Sequence, residues 1–378
     1  MNKWTKKNKT KKNKTKKNKT KKNKTKKNKT KNNETNTIIV TMQRDPYPKS
    51  YKKKYDNWFY FKFDINQKNT ITQFSIPNIR TYNNCNPALT NDWNGFQVCY
   101  SYDNKIWRRL STTTVECIGK YTTINWTYNN ISKNPTKNRV KNKVVWFAYY
   151  VPYPFSKTQK LFPNAEVIGY SNKKLPILLQ RYGYGPTNIW LISGQHPAET
   201  FHAWMLEGFV KRLLEAKTVL FSKYTFYIVP NANPDGNVLN YTRLNAQGIN
   251  LNRDWLNTKS PEISSIKAKM TEIGYDMVFD LHGDEGSTHH FFTRSYQHKH
   301  PLHDIILKRL VAQKHLHFQY NDHYPVEYTK STNESTLDAF SHGITVEGAL
   351  KHPLYDHKTL QDEPLGIGKA LADILLKI

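Results

Sequence analysis

The sequence predicts two folded domains behind a disordered lysine-rich tail: an all-β antiparallel sandwich, followed by an α/β domain with a mixed sheet flanked by helices. Two observations predict this order. Residues 37–155 consist of short aromatic and β-branched runs, and from residue 156 onwards apolar strands alternate with helical segments. The chain has 378 residues, and the roughly 345 that follow the tail are more than one hydrophobic core usually holds.

The tail, residues 1–36, is dominated by five consecutive copies of KKNKT over residues 6–30. The whole chain carries 58 Lys and Arg against 29 Asp and Glu, a formal net charge of +29. Seventeen of the lysines lie in the first 31 residues, so the remainder has a net charge of only +12. A repeat without apolar side chains buries nothing that could offset about 1–2 kcal/mol of backbone entropy per ordered residue. We therefore expect a disordered tail, and the rest of the chain does not favour a nucleic-acid-binding protein.

The first folded domain is predicted for residues 37–155. Its clearest candidate strands are residues 57–63, 95–100 and 144–150, which are rich in aromatic and β-branched side chains. Runs of this length, separated by Asn, Asp, Gly and Pro, are typical of an antiparallel sandwich. The two prolines of the VPYP segment then end the domain, because proline cannot continue a central strand.

The second domain is predicted for residues 156–378. We expect buried strands at 188–193, 224–229, 277–281 and 343–346, and helices at 198–217, 261–273, 303–314 and 365–376. The first of these helices has apolar residues at the 3.6-residue spacing of a helix face. Alternating elements of this kind indicate an α/β domain with helices on both faces of the sheet.

Composition excludes several other classes of protein. No run of about 18 apolar residues occurs, which argues against a membrane-spanning helix, and no apolar segment follows the basic N-terminus as it does in a secretory signal. The three cysteines, Cys85, Cys99 and Cys117, form no CxxC pair. This argues against a disulfide framework or a cysteine-built zinc site. We accordingly expect a cytoplasmic protein without a membrane partner.

Polar residues follow the predicted strands of the second domain, at the edge where open α/β sheets bind ligands. His196 and Glu199 lie three residues apart after the first strand, at the start of a helix, and His282 follows the third strand. Two imidazoles and one carboxylate, with a fourth position open, are a usual ligand set of catalytic zinc. These three residues are therefore candidate ligands of one Zn²⁺ per chain.

The other two strands lead to groups that suit a substrate ending in a carboxylate. Arg243, Asn252 and Arg253 follow the second strand, and a guanidinium can bind a carboxylate through two parallel N–H bonds. Glu347 ends the fourth strand. Its carboxylate could take a proton from water whose pKa zinc lowers to about 7.

These motifs resemble the zinc carboxypeptidases of the carboxypeptidase A type, and specifically the cytosolic carboxypeptidase-like branch. The matching segments, in the family's order, are GQHPAETFHAWMLEGF, YIVPNANPDGNVLNYTRLNAQGINLNRDW, DLHGDE and ITVEGAL. The segments DNWFYFKF and VVWFAYYVPY are similar to the β-sandwich domain that precedes the catalytic domain in this branch. The resemblance covers the chain from about residue 45 to residue 378 and leaves out the tail.

The resemblance implies a zinc-dependent metallocarboxypeptidase that hydrolyses the C-terminal residue of peptides or proteins with metal-activated water. Glu347 would be the general base and then the proton donor to the leaving amine. Arg243 would polarise the scissile carbonyl and stabilise the oxyanion. Asn252 and Arg253 would bind the terminal carboxylate of the substrate. The ligands of the zinc would be His196, Glu199 and His282, and Asp280 and Asp284 are candidates for orienting His282.

One departure from the family concerns specificity. Deglutamylating members have a Gly/Thr-rich segment with an arginine before the catalytic glutamate, and residues 330–336 here read KSTNEST. Lys330 is available as a substitute for that arginine, so protein deglutamylation stays one candidate activity. The substrate-contacting tyrosine of the family is not assigned, because Tyr320, Tyr324 and Tyr328 are all candidates.

Two other functions stay open at this point. The first is a non-catalytic protein that binds polyanions such as nucleic acid through its lysine-rich tail, because closely spaced lysines release counterions from a polyanion. In an enzyme, the same tail could hold the protein near glutamylated acidic tails. The tail could equally be a low-complexity expansion without a partner. The second is a deacylase of small N-acyl amino acids with the same fold, which would not need Arg243, Asn252 and Arg253 together.

Overall fold

The structure is a computed structural model that describes residues 37–51, 54, 56–65, 71–80, 93–118, 121–129, 144–294, 301–313, 318–320, 343–351 and 359–378. The predicted tail and the segment 330–336 lie outside the described residues, as do Tyr324, Tyr328 and the side chain of Tyr320.

The first domain is a sandwich of two four-stranded sheets. Its strands are β1 Thr37–Ile39, β2 Tyr60–Asp64, β3 Ile71–Arg80, β4 Cys99–Ser101, β5 Arg108–Arg109, β6 Thr114–Ile118, β7 Tyr121–Asn129 and β8 Val144–Ala148. One sheet has the order β1-β3-β7-β6 and the other β2-β8-β4-β5. The paired strands are antiparallel except for β1 and β3, which are parallel.

Aromatic side chains fill the space between the two sheets. Buried and partly buried residues alternate along β7, as expected for a strand with one face on a core. Trp126 of this strand stacks on Phe74 with ring centroids 5.1 Å apart, and Phe147 of the opposite sheet packs against both rings. The aromatic residues that predicted the sandwich therefore form its core.

The cysteines depart in part from the expectation drawn from their spacing. Cys99 is a buried free thiol, whereas Cys117 is disulfide-bonded. The argument against a disulfide framework did not foresee this bond at Cys117.

The second domain is built on one eight-stranded mixed sheet with the order β15-β14-β16-β13-β11-β12-β10-β9. The strands are β9 Glu166–Tyr170, β10 Pro176–Gly183, β11 Thr187–Ser193, β12 Tyr224–Val229, β13 Met277–Asp284, β14 His290–Arg294, β15 Phe318–Tyr320 and β16 Gly343–Ala349. The helices are α1 Phe155–Leu161, α2 Phe201–Glu215, α3 Lys217–Lys223, α4 Pro234–Leu239, α5 Pro261–Ile273, α6 Pro301–Ala312 and α7 Asp362–Leu376. The predicted fold class is confirmed.

Four neighbouring strands at the centre of this sheet, β12, β11, β13 and β16, run parallel to one another. Every residue of β12 is buried, because helices and loops cover both faces of a parallel sheet. Antiparallel pairing begins on either side of this centre, where β10 pairs with β12 and β14 pairs with β16, and β9 in turn pairs antiparallel with β10. Parallel strands end at the same edge of a sheet, so the segments that follow β11 and β13 are brought together with the end of β16.

Helices α2 and α7 pack closely on one face of the sheet. A Cβ atom built on Gly208 would overlap the backbone of Leu365, and one built on Gly368 would overlap the backbone of Met205 and Phe209. Only glycine allows the two helix backbones to approach this closely. None of the helices in the described part of the chain combines the length and the apolarity needed to cross a bilayer.

Candidate metal centre

Three side chains converge at the carboxyl edge of the central strands. Potential ligand atoms of His196, Glu199 and His282 all lie within 4.8 Å of one another, and the three residues are buried. Nδ1 of His196 is 2.7 Å from Oε1 of Glu199, and Nδ1 of His282 is 2.8 Å from Oε2 of the same carboxylate. The two Nδ1 atoms and the carboxylate thus face one point.

The outer nitrogen of each imidazole has a partner of its own. Nε2 of His196 lies 3.0 Å from Oδ1 of Asn250, and Nε2 of His282 lies 3.0 Å from Oδ2 of Asp280. Because both partner atoms are acceptors, they keep a proton on Nε2 and orient each ring so that Nδ1 points inwards. Imidazole nitrogens and one carboxylate held in this way are a donor set that fits Zn²⁺.

Further hydrogen bonds hold Asp280 in place. The side chain of Gln195 donates from Nε2 to both oxygens of Asp280, at 2.8 and 2.9 Å, and accepts at Oε1 from the indole N–H of Trp255 at 2.8 Å. All three residues are buried. Buried polar groups with complete hydrogen bonding hold a single geometry. Asp280 is therefore held in place and keeps the imidazole of His282 in one orientation.

Burial and mutual contacts shift the pKa values of the candidate ligands. Burial, together with the nearby guanidinium of Arg243, lowers the pKa of His196 to about 4, so this imidazole is neutral at pH 7. Burial opposes the ionisation of Glu199, but the imidazoles of His196 and His282 hold the pKa of this carboxyl well below its usual range. A neutral imidazole and an ionised carboxylate are the forms that bind a metal. His282 departs from this pattern, because, despite burial, Asp280 and Glu199 hold the pKa of its imidazole well above the usual range.

The turn before α2 explains why His196 and Glu199 can point at the same ion. Gly194 has a φ of 78°, a left-handed conformation that favours glycine, and it turns the chain sharply at the end of β11. The predicted helix 198–217 in fact starts at Phe201 and ends at Glu215. Glu199 therefore lies in the loop before the helix, and the neighbouring Thr200 donates its hydroxyl to the carbonyl of Val151 at 2.7 Å.

Glu347 lies next to the ligands on the neighbouring strand. It is paired with His282 in the register between β13 and β16, so both side chains leave the sheet on the same face. Burial raises the pKa of Glu347 well above its usual range, the carboxylates of Glu199 and Asp284 add to the effect, and His282 opposes it. A carboxyl with a raised pKa beside a metal-type cluster has the properties of a general acid or base.

Arg243 also lies against the cluster. Its guanidinium NH1 is 3.4 Å from Nδ1 of His196 and 3.6 Å from Oε1 of Glu199. Asn252 lies on the other side, with Nδ2 at 3.4 Å from Nε2 of His282. Arg253 is the neighbour of Asn252, and its guanidinium donates to the Asn252 carbonyl at 2.6 Å. The structure thus gathers all seven predicted site residues around one edge of the sheet.

The short 3₁₀ turn Leu251–Arg253 places Asn252 and Arg253, and Asn250 begins it. Oδ1 of Asn250 accepts from the backbone N–H of Asn252 at 3.1 Å while also lying 3.0 Å from His196. One amide oxygen therefore ties the turn to a ligand imidazole. No role for Asn250 was predicted from the sequence.

The two aspartates beside His282 have different roles. Asp280 contacts Nε2 of the imidazole, as expected for an orienting carboxylate. Asp284 instead accepts from the backbone N–H groups of Gly286 and Ser287 and stabilises the turn after β13.

A pocket opens beside Glu199 and Arg243, and part of its lining comes from the sandwich domain. Its lining residues are Asn57, Tyr149, Ala198, Glu199, Thr242, Arg243, Glu285 and Leu350. The sequence indicated no functional residue in the sandwich, and Asn57 and Tyr149 carry no recognisable motif. Their position depends on how the two domains pack, which no local sequence signal reveals.

Comparisons with known families match the two domains separately. A family model described as the cytosolic carboxypeptidase N-terminal domain matches residues 24–150, and one described as zinc carboxypeptidase matches residues 155–273. The second match contains five of the seven predicted site residues, and His282 and Glu347 lie beyond its end.

Similar sequences include proteins from bacteria and vertebrates. An uncharacterized protein of Zymomonas mobilis is 31% identical over 258 residues, which are 64% of this chain and 62% of that protein. Cytosolic carboxypeptidase 1 of Homo sapiens is 24% identical over 255 residues, or 55% of this chain and 20% of that protein. The chain therefore spans less than two thirds of the first relative's length and about a fifth of the human protein.

Solved structures of metallo-carboxypeptidases share the fold of both domains. The enzyme from Pseudomonas aeruginosa, solved in complex with (2-guanidinoethylmercapto)succinic acid, is 23% identical with a TM-score of 0.74, over 92% of this chain and 95% of that one. The enzyme from Burkholderia cenocepacia is 23% identical with a TM-score of 0.73, over 90% and 93% of the two chains.

Proposed function

Because the chain belongs to the zinc carboxypeptidase family and carries the N-terminal domain of the cytosolic carboxypeptidases, we propose that it is a zinc-dependent metallocarboxypeptidase. It removes the C-terminal residue from peptides or proteins. The observation that carries the proposal is the convergence of His196, Glu199 and His282 on one point. Glu347 in register with His282 and Arg243 at the edge of the cluster give further support.

Zinc bound by these three residues supplies Lewis acidity toward water and toward the scissile carbonyl. The remaining chemistry belongs to the chain. Glu347 takes a proton from the attacking water at its carboxylate and returns one to the nitrogen of the leaving amino acid. The guanidinium of Arg243 donates to the carbonyl oxygen as negative charge develops there, which lowers the barrier because the donor is already in place.

Asn252 and Arg253 restrict the reaction to the end of a chain. An amide and a guanidinium can together hold both oxygens of a terminal carboxylate. Internal peptide bonds lack this group and would leave the two donors unpaired. The restriction supports a carboxypeptidase rather than an endopeptidase.

The finer proposal is that the released residue is glutamate, as on a glutamylated acidic tail. The net charge of +12 beyond residue 31 suits an acidic substrate, and Lys330 is the basic residue that would contact its side chain. Peptides ending in Glu, Leu or Lys, compared at equal concentration, test this. Release of Glu alone, reduced by Lys330→Ala, supports deglutamylation, and release of Leu or Lys instead contradicts it.

We also keep the prediction of a cytoplasmic protein, in line with the names of the cytosolic carboxypeptidases.

Substitution of the proposed base tests the reaction most simply. We expect Glu347→Gln to lower kcat by roughly 10²- to 10⁴-fold while the protein still binds about one zinc, since Glu347 is not a ligand. The assays are peptide hydrolysis and zinc stoichiometry of the purified protein. Glu207→Gln on α2 is the matched control, because its carboxylate pairs with Lys157 and Lys211 outside the site. Full activity in Glu347→Gln would exclude the assigned base.

A further inference from the structure

The segment that carries Arg243 is held by a residue of the N-terminal part of the chain. The carboxylate of Asp45 accepts hydrogen bonds from three consecutive backbone N–H groups, those of Thr242 at 2.6 Å and of Arg243 and Leu244 at 2.7 Å. Asp45 is buried. Roughly 200 residues separate it from these donors, so the contact depends on the packing of the two domains rather than on local sequence.

Two further residues of the sandwich domain hold the same segment from another side. The backbone N–H groups of Asn57 and Trp58 donate to Oγ1 of Thr242, at 3.0 and 3.3 Å, and the Trp58 indole donates to Oδ1 of Asn240 at 3.2 Å. Asn240 has a φ of 58°, so the chain turns sharply at this point. Residues 240–244 are thus fixed between the domains.

The bonds to Asp45 are short and charge-assisted. Burial raises the pKa of Asp45 to about 6, and the hydrogen bonds from Leu244, Thr242 and Arg243 act in the opposite direction. The carboxylate is therefore ionised at neutral pH. Hydrogen bonds to an ionised acceptor are about twice as strong as neutral ones, and three of them on successive residues fix the backbone of Arg243.

The carboxylate of Asp45 accepts hydrogen bonds from the backbone, whereas that of nearby Asp56 accepts them from a side chain. Asp56 binds the guanidinium of Arg80 through two bonds, at 2.7 and 2.6 Å. Asp45 directs its bonds to the main chain of the segment whose central residue reaches His196 and Glu199. A shift of this backbone would move the guanidinium away from the cluster.

We propose that Asp45 is a positioning residue that places Arg243 for catalysis, so that the N-terminal domain forms part of the active site. The proposal rests on the function assigned above, in which Arg243 stabilises the oxyanion. Displacement of such a group by about 1 Å can lower a rate 10²-fold. Asp45 itself does not contact the ligand cluster; it acts through the backbone of residues 242–244.

A double-mutant cycle on the zinc-loaded full chain tests the connection. We expect Asp45→Asn to lower kcat/KM for a peptide substrate roughly 10- to 100-fold, mainly through kcat, because only transition-state stabilisation is lost. In an Arg243→Ala background the same change should cost less than about 2-fold, since coupled residues are not additive. Equal losses in the two backgrounds would mean that Asp45 does not act through Arg243 and would overturn the proposal.

A matched control separates this effect from a general loss of stability. Asp103 also accepts from backbone N–H groups, those of Lys105 at 2.9 Å and Ile106 at 2.8 Å, but in a turn of the sandwich. We expect Asp103→Asn to leave kcat and KM unchanged. If Asp45→Asn does not fold, Asp45→Glu is used instead, because it keeps the charge and moves the carboxylate by one methylene group.

Hydrogen exchange gives a readout that does not depend on turnover. We expect Asp45→Asn to speed exchange of the amides of Thr242, Arg243 and Leu244 by at least about 10-fold, the equivalent of one lost hydrogen bond of about 1.4 kcal/mol, and Asp103→Asn to leave it unchanged. Unchanged exchange in Asp45→Asn would overturn the proposal. A wild-type chain that hydrolyses no peptide would refute the proposed function and, with it, the role of Asp45 in positioning Arg243 for catalysis. The exchange rates would still show whether Asp45 holds the segment.

Discussion

At the scale of single residues, the chemistry depends on which imidazole nitrogen faces the metal position. The sequence predicted the histidines and the glutamate but not the orientation of the rings. That orientation comes from Asn250 and Asp280, which accept from the Nε2 atoms and leave both Nδ1 atoms directed at Glu199. Residue types and their spacing can be read from a sequence, whereas hydrogen bonds between distant segments follow only from the packed fold.

The two aspartates beside His282 give a prediction at this scale. Asp280→Asn should lower zinc affinity roughly 10- to 100-fold, because an orienting carboxylate raises the basicity of a ligand imidazole. Asp284→Asn should have a clearly smaller effect, since Asp284 caps a turn and is not bonded to the imidazole in the structure. Competition with a zinc chelator measures both affinities. Equal losses in the two variants would contradict the assigned roles.

At the scale of elements, the buried strands were predicted closely and the outer strands were not. The predicted strand 224–229 is β12 Tyr224–Val229, and the predicted helix 261–273 is α5 Pro261–Ile273. The strands β9 and β10 were missed. The pattern of β9 is largely exposed, so it shows neither a long apolar run nor a clear alternation. Pairing with neighbouring strands, rather than propensity, determines such elements.

The contact between α2 and α7 gives a prediction for an element pair. Gly368→Ala should destabilise the chain by about 1–3 kcal/mol, because the added methyl group would overlap the backbone of α2. Gly366→Ala on the same helix is the control, since a Cβ there has no heavy atom within 4 Å. The control should stabilise the helix by up to about 1 kcal/mol. Denaturant unfolding of the two variants measures the difference, and equal effects would contradict the close helix contact.

At the scale of the whole molecule, the site belongs to both domains. The sequence assigned every functional residue to the second domain, yet Asn57 and Tyr149 of the first domain line the pocket beside Arg243, and Asp45 holds the segment that carries this arginine. The fold class of each domain could be predicted because core patterns are local. The shared site could not, because it arises from contacts between residues about 200 positions apart.

Removal of the tail tests how much of the molecule the chemistry needs. Deletion of residues 1–31 removes 17 lysines, and we expect peptide hydrolysis to be unchanged within about 2-fold because the proposed site residues all lie in the second domain. Any binding to nucleic acid or other polyanions should be lost, as should its dependence on salt. Hydrolysis and polyanion binding, measured on the full and shortened chains, check this. Polyanion binding with no hydrolysis in either chain would favour the non-catalytic alternative.

The central claim is that the chain releases single residues from free C-termini with zinc bound at His196, Glu199 and His282. The direct test is to incubate the zinc-loaded protein with a library of peptides, in free-acid and amidated forms, and to follow their masses. We predict the loss of one C-terminal residue at a time from free-acid peptides, with amidated peptides left intact. Cleavage at internal bonds, equal cleavage of amidated peptides, or no cleavage by the folded, zinc-loaded protein would contradict the claim.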